Sequence, residues 1–481
     1  MLKITLSTTK MKLVMLSVIT YVLFLFVTAL ALYLTENVSN SIIIFWGFFN
    51  NIIFILSIFS LRKIENRRFS LKSIILSFFF LFNFGQIFLW TLGIHSPSEI
   101  GKVPLYSNFR IPDNYDIFKA LIFSMQSFAT LCLGFFISTL RHSDLKYKNY
   151  FRNSQERSII LNLSIILGSI IIPLTFLKII YILVFSLNNG YSALYYSNFS
   201  MNSILTKSED YFFPVIVGLL LGSNYKLRYF VYSFFSLYVA LYALAGERGN
   251  WIYKIIILFW MHSNFFNKLD YKKIIKWGIF SGIFLFLIGI IVNLRQYGLG
   301  NVTLNQIIEE AATTNNIFTR YLFEMGNSMG ITLMVIFFGV ESFSSLGNTY
   351  LTSLLASFST KLALILGVNV YYPANFLSQD ILNINWGTGF NFFAESFINF
   401  GWLGFTLMFI FGFVFSNITR TGQNDSVITN YFSCINASII CSMVRDSSLN
   451  GFRLFTQVSL LLYLIIKILE YYRRKRFYYE E

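Results

Sequence analysis

The sequence alternates between long apolar segments and short loops rich in lysine and arginine. An apolar segment of about 17–25 residues can cross the hydrocarbon core of a bilayer as an α-helix. Because 56% of the residues are hydrophobic and only 12% are charged, a soluble globular domain is excluded. We predict an all-α polytopic membrane protein with about 12 transmembrane helices. The predicted spans are residues 13–34, 41–61, 71–93, 117–140, 159–185, 211–222, 229–244, 251–265, 277–292, 392–415, 427–443 and 454–469.

The basic residues predict the orientation of the chain, because cytoplasmic loops of membrane proteins carry an excess of lysine and arginine. If the N-terminus is cytoplasmic, every strongly basic loop also falls on the cytoplasmic side of the membrane. The formal net charge of +15 then reflects topology, and no nucleic-acid partner is expected. Both termini are predicted to be cytoplasmic. The basic loops lie at residues 62–68, 141–157, 226–228, 268–276 and 473–476, with Arg420 in a further loop.

The same pattern divides the chain into three parts. Residues 1–292 hold predicted spans one to nine, residues 293–391 form a large outward-facing loop, and residues 392–481 hold the last three spans and a basic cytoplasmic tail. Two segments of the loop, residues 330–340 and 351–367, are apolar but short. We predict that they form amphipathic helices that lie at the membrane surface or cap a cavity. If both cross the bilayer instead, the number of spans rises to about 14 and the sides of the other loops are unchanged.

Arginines on the outward side are exceptions to this charge rule and are therefore informative. The planar guanidinium group stays ionised and can donate two parallel hydrogen bonds to a phosphate. Each such arginine could instead pair with a nearby carboxylate, such as Glu324 or Asp446, or contact lipid headgroups. Taken together, they predict a site for a diphosphate or another anionic ligand. The outward arginines are Arg248, Arg295, Arg320, Arg445 and Arg453.

The stretch at residues 387–404 begins with a polar segment and continues into an apolar span. If it is helical, Asn391, Glu395 and Asn399 follow at intervals of four and share one face. A carboxylate at the edge of a span is costly unless it faces the interior of the bundle or a watery cavity. The alternative is a glutamate that extends to the membrane interface. We predict that Glu395 belongs to the site that the outward arginines form.

Several other chemistries lack support in the sequence. The three histidines and three cysteines do not have the spacing of a metal site. No Walker motif, Rossmann fingerprint or GxSxG motif is present, so ATP-driven transport and serine hydrolase chemistry are not indicated. We therefore expect neither a metal nor a nucleotide cofactor.

The layout of many spans and one large late outward loop resembles that of the Wzy-type polymerases of O-antigen and capsular repeat units. Three local passages carry the resemblance: ALAGERGNW around Arg248, SSLGNTYLTSLLASF within the loop, and GTGFNFFAESFINFGWLGF around Glu395. One departure is the end of the loop, where the family is proline-rich and this chain has only Pro373.

The resemblance implies a glycosyl transfer at the outer face of the cytoplasmic membrane. The sugar hydroxyl at the non-reducing end of one repeat unit attacks the anomeric carbon of a growing glycan held on undecaprenyl diphosphate. The lipid-linked oligosaccharide is thus both donor and acceptor, and membrane lipids and a chain-length regulator protein are the other implied partners. In this scheme Arg248 and Arg295 stabilise charge on the leaving diphosphate. Glu395 acts as the base or orients the acceptor, and Glu324, Asp446 and His95 are the alternative candidates for the base. The other predicted substrate-binding residues are Arg320, Arg445, Arg453, Asn391, Asn399, Glu324 and Asp446.

Three alternatives remain open on the sequence. A flippase or exporter of lipid-linked sugars would also bind a diphosphate, but it would place charges along a path through the membrane and would usually have two related halves. An O-antigen-ligase-like enzyme would use the same site with a different acceptor. A non-catalytic scaffold would use the arginines to bind anionic lipid or a partner loop.

Overall fold

The computed structural model is all-helical in the part of the chain that it describes, and it confirms the predicted class. The described residues are 8–35, 37–65, 69–102, 111–142, 152–190, 193–196, 201–247, 249–266, 302–303, 305, 317–368, 370–384, 388–421 and 425–480. The predicted span at residues 277–292 lies outside them, as do Arg248 and Arg295.

The main helices are numbered in chain order. The first eight are α1 (Thr8–Leu34), α2 (Asn40–Glu65), α3 (Leu71–Thr91), α4 (Asn114–His142), α5 (Arg152–Asn189), α6 (Ser203–Gly222), α7 (Arg228–Leu244) and α8 (Gly249–Met261). The others are α9 (Ile317–Met325), α10 (Ser328–Phe338), α11 (Thr349–Phe358), α12 (Thr360–Ile365), α13 (Phe392–Phe400), α14 (Gly404–Ile418), α15 (Val427–Met443), α16 (Ser448–Leu454) and α17 (Leu461–Glu480).

Eight helical segments within the described residues are long and apolar enough to cross a membrane, and α7 and α15 are shorter apolar helices. One of the eight, Thr319–Phe338, lies inside the predicted outward loop. Residues 330–340 thus belong to a longer apolar segment, because α9 precedes α10 and adds to its length. A surface helix and a further span both stay predictions for this region. Sequence reasoning did not count α9, since Arg320 and Glu324 interrupt its apolar pattern.

The chain divides into two compact units. Unit 1 comprises Met1–Lys146, Thr319–Arg420 and Ile439–Phe455. Its central helix is α4, in which nearly all the residues of the apolar segment are buried. This helix packs closely on α14, because Gly134 and Gly412 remove the side chains that would separate the two backbones. Hence α14, and α13 before it, are held against the core of the unit.

Unit 2 comprises Tyr147–Phe318, Thr421–Ser438 and Thr456–Glu481. Its longest helix, α5, has 38 residues and packs along α6. At about 1.5 Å per residue this helix exceeds the ~30 Å hydrocarbon thickness of a bilayer, so its ends extend beyond the apolar core. Gly218 and Gly222 on α6 lie against Ser164 and Leu161 on α5, and these small residues allow the close approach.

Candidate functional site

The carboxylate of Glu395 lies in the core of unit 1 and is fully buried. It accepts a hydrogen bond from the Thr349 hydroxyl at 2.7 Å, from the Ser448 hydroxyl at 2.6 Å and from the Ser448 backbone N–H at 2.6 Å. These donors come from α11 and α16, which are distant from α13 in sequence. A buried carboxylate is tolerated when donors satisfy its oxygens. Glu395 therefore joins three helices of unit 1.

Asn399 lies one turn further along α13 and completes this arrangement. Its amide nitrogen donates to the Thr349 hydroxyl and to the Glu395 carbonyl, both at 2.8 Å. Its amide oxygen accepts from the Thr349 backbone N–H at 2.7 Å. The Ser353 and Ser448 hydroxyls are 2.9 Å apart. We call Glu395, Asn399, Thr349, Ser353 and Ser448 the Glu395 network. Since its members satisfy one another, it should be rigid.

Asn391 does not share the face of Glu395 and Asn399, so the prediction of a common helical face is wrong for this residue. It is the N-cap of α13, with φ of −141°, and its side chain accepts from the Phe393 backbone N–H. Its amide nitrogen is directed at Asn83, Ser328 and Thr332, at 2.8, 2.8 and 3.0 Å. Asparagine is among the preferred N-cap residues, because its side-chain oxygen satisfies a free backbone N–H. Asn391 thus anchors the start of α13 to α3 and α10.

Three of the predicted site residues lie close to Ser448 in the sequence. Arg445 and Asp446 are in the turn at residues 444–447, directly before α16, and Arg453 is on α16 itself. Arg445 is exposed, whereas Asp446 and Arg453 are partly buried. Since Ser448 bonds to Glu395, the Glu395 network holds the segment that carries two arginines and one carboxylate.

The individual contacts of this segment are well defined. Asp446 accepts from the Ser447 backbone N–H at 2.7 Å and from the Asn450 amide at 2.8 Å. Burial raises the pKa of the Asp446 carboxyl above its ordinary value, although these two hydrogen bonds oppose the shift. Arg453 donates to the Tyr372 hydroxyl at 3.1 Å. A partly exposed carboxyl with a raised pKa is a suitable proton acceptor.

Other predicted residues are placed elsewhere or lie outside the described residues. Arg320 is largely exposed and pairs with Glu324 at 3.5 Å along α9, which is the ordinary surface arrangement. His95 pairs with Glu99 at 2.6 Å. The proximity of Arg248 and Arg295 to Glu395 stays a prediction, because neither arginine is described.

Unit 2 contains a buried polar cluster that sequence reasoning missed. Glu209 on α6 pairs with Lys178 on α5 at 2.5 Å and accepts from the Tyr238 hydroxyl on α7 at 3.0 Å. Lys254 on α8 donates to the Tyr238 oxygen at 3.1 Å and lies 3.9 Å from Glu209. We call these four residues the Glu209 cluster. The sequence did contain an indication of this cluster, because two of its lysines lie within predicted apolar spans. Charges inside a membrane are costly and need partners.

Within the described residues, no group of three or more His, Cys, Asp or Glu side chains could hold a metal ion. The site that remains is a polar network, with two arginines and one partly buried carboxylate beside it, in a bundle of membrane helices. These features define a polytopic membrane protein with a candidate anion site.

A comparison with protein families identifies the class more narrowly. The family described as O-antigen polysaccharide polymerase Wzy matches residues 15–476, which is nearly the whole chain. The chain therefore belongs to the Wzy family of O-antigen polysaccharide polymerases. Neither the curated proteins nor the solved structures contain a match to this chain.

Proposed function

We propose that this protein polymerises undecaprenyl-diphosphate-linked oligosaccharide repeat units at the outer face of the bacterial inner membrane. Membership of the polymerase family is the observation that carries this proposal. The product is an O-antigen or a capsular polysaccharide. The enzyme is a glycosyltransferase that works without a metal ion, and a separate chain-length regulator sets the extent of growth.

The reaction forms one glycosidic bond and breaks another. The acceptor hydroxyl oxygen bonds to the anomeric carbon of the donor glycan, and the bond between that carbon and the diphosphate oxygen breaks. The lipid diphosphate leaves with the electron pair, and the hydroxyl proton passes to a base. Negative charge grows on the diphosphate in the transition state, so cationic donors that are already in place lower the barrier.

The roles follow from the chemistry of the side chains. Arg445 and Arg453 bind the diphosphate through bidentate hydrogen bonds. A role of Arg248 and Arg295 in binding the diphosphate stays a prediction from the sequence. Asp446 accepts the proton of the attacking hydroxyl, because it is partly exposed and its pKa is raised. Glu395 is a positioning residue that orients the segment from Arg445 to Arg453. Its complete burial and its three donors favour this role over direct proton transfer.

The test is a glycan ladder gel from cells that lack the chromosomal gene and carry wild-type or variant protein. We expect Arg445→Lys, Arg453→Lys and Asp446→Asn to lose the long ladder while single-repeat glycan is still attached. Lysine keeps the charge but lacks the planar fork, so topology is preserved and diphosphate binding is weakened. The matched control is Arg62→Lys, at an exposed arginine of a basic loop that is predicted to be cytoplasmic.

The pattern of products separates the alternatives. Loss of all attached glycan, including the single repeat, would indicate an O-antigen-ligase-like or exporting function. Full ladders from all the variants, at normal membrane abundance, would refute the proposed site.

A further inference from the structure

A cavity of about 220 Å³ lies at one end of unit 2. It is formed where α5 and α15 begin and where α6 and α8 end. The basic loops that adjoin this end of the helices are predicted to be cytoplasmic. The cavity is smaller than the ~300–1,000 Å³ of sites for drug-sized ligands, but it is much larger than one water molecule requires.

The lining of the cavity is mainly polar. It includes one guanidinium group, one carboxylate, three amides and one phenol hydroxyl. The polar lining residues are Arg157, Asp425, Asn224, Asn264, Asn430 and Tyr225. A cation and an anion thus line the same small space, together with neutral donors and acceptors. This composition does not suit an apolar ligand.

Two of the lining groups have unused hydrogen-bonding capacity. Arg157 is partly buried, and no ion pair or hydrogen bond joins its side chain to any other described residue. Tyr225 is only 2% exposed, and its hydroxyl has no partner within the described part of the chain. A buried donor without a partner is costly, so such a group points to a missing ligand. Burial raises the pKa of Tyr225, which keeps its hydroxyl protonated and able to donate.

The backbone at the cavity is also unusual. Asn224 and Tyr225 have φ values of 52° and 62°, in the left-handed region. Asparagine tolerates this region, but it is uncommon for a bulky residue such as tyrosine. The Tyr225 carbonyl accepts from Arg228 at 3.3 Å, and its ring stacks on Phe266 with centroids 5.2 Å apart. Strained backbone is often retained where it positions a functional side chain. Here it brings the Tyr225 ring to the cavity.

We propose that this cavity binds a phosphate group that carries an ammonium group a few bonds away, as in phosphoethanolamine. Arg157 and the Tyr225 hydroxyl donate to the phosphate oxygens, and Asp425 accepts from the ammonium group. The ligand is the headgroup of a phosphatidylethanolamine lipid or a soluble phosphoethanolamine. The site shares no residue with the Glu395 network, and the proposal does not depend on the proposed polymerase activity.

The experiment uses the full-length protein, purified in detergent and freed of bound lipid. Binding of phosphatidylethanolamine, phosphatidylglycerol and soluble O-phosphoethanolamine is measured by native mass spectrometry and by the rise in unfolding temperature. We expect the ethanolamine compounds to bind and stabilise the protein, and phosphatidylglycerol to bind more weakly. Arg157→Gln should weaken binding roughly tenfold or more, because a charge-assisted bond is lost.

Two further variants keep the test informative if Arg157→Gln disturbs folding. Tyr225→Phe removes only the hydroxyl, retains the stacking on Phe266, and should also weaken binding. Lys226→Gln is the matched control, because Lys226 is an exposed basic residue beside Tyr225 that does not line the cavity. Binding of O-phosphoethanolamine alone supports a soluble ligand, and binding of the lipid supports a headgroup site. Equal binding of both lipids, no binding at all, or an equal loss in Lys226→Gln would overturn the proposal.

Discussion

At the residue scale, Glu395 combines complete burial with three short hydrogen bonds from Thr349 and Ser448. The carboxylate cannot be removed without leaving these donors unsatisfied. Its position at the start of an apolar span was evident in the sequence, but its partners were not. They lie 46 and 53 residues away, and no local pattern connects them to it.

Replacing Glu395 should therefore reduce stability as well as activity. We expect Glu395→Ala to destabilise the protein by roughly 3 kcal/mol or more, at ~1–3 kcal/mol for each orphaned donor. Thermal unfolding of purified protein measures the effect. Glu341→Gln, at an exposed glutamate in the same unit, is the control and should change stability by less than about 0.5 kcal/mol. An unfolding temperature for Glu395→Ala equal to that of the control would contradict the structural role of the network.

Asp446 offers a second prediction at this scale, through pH. A base must be deprotonated to accept a proton, and burial raises the pKa of Asp446. The rate of polymerisation should therefore fall on acidification at a higher pH than an ordinary aspartate would give. Asp446→Asn should remove both the polymerisation activity and the decrease in rate on acidification. An unchanged profile in the variant, with substantial activity, would exclude Asp446 as the base.

At the scale of the helices, the Glu209 cluster connects α5, α6, α7 and α8 within unit 2. Lys178 and Glu209 are both mostly buried, so neither charge is well solvated by water. Breaking a buried ion pair by removing one partner is far more costly than replacing the whole group by apolar side chains. Two of these helices, α7 and α8, precede and follow Arg248 in the sequence.

We expect Glu209→Gln to destabilise the protein by about 3–5 kcal/mol, because it leaves two buried lysines without their carboxylate. The triple variant Lys178→Met, Glu209→Gln, Lys254→Met should recover much of this loss, since it removes the uncompensated charges. Membrane abundance and thermal unfolding report both effects. A triple variant that is less stable than Glu209→Gln would show that the charges themselves are needed.

At the scale of the whole molecule, hydropathy predicted the membrane class and most of the spans, because apolar length is a local property of the sequence. It did not anticipate that α9 and α10 together make an apolar segment, residues 319–338, that is long enough to cross. The candidate site was only partly predictable. Glu395 and Asn399 were identified as neighbours on one face, whereas the capping role of Asn391 and the position of Ser448 depend on tertiary packing.

The predicted orientation can be tested with single introduced cysteines. Cys132, Cys434 and Cys441 are buried, so the background labelling of intact cells should be low. We expect Lys361→Cys to react with a membrane-impermeant maleimide from outside the inner membrane. Lys63→Cys and Lys226→Cys should react only after permeabilisation, because basic loops face the cytoplasm. All three positions are exposed. The reverse pattern would invert the predicted topology and place the site on the wrong side for the proposed reaction.

The most direct test of the central claim is chain growth by purified protein in proteoliposomes that contain undecaprenyl-diphosphate-linked repeat units. The account predicts glycans longer than one repeat, with and without a metal chelator and without added nucleotide. Arg453→Lys should abolish this growth, while Arg62→Lys should retain it. If the wild-type protein leaves the repeat units unjoined, or if both variants extend them equally, the account is contradicted.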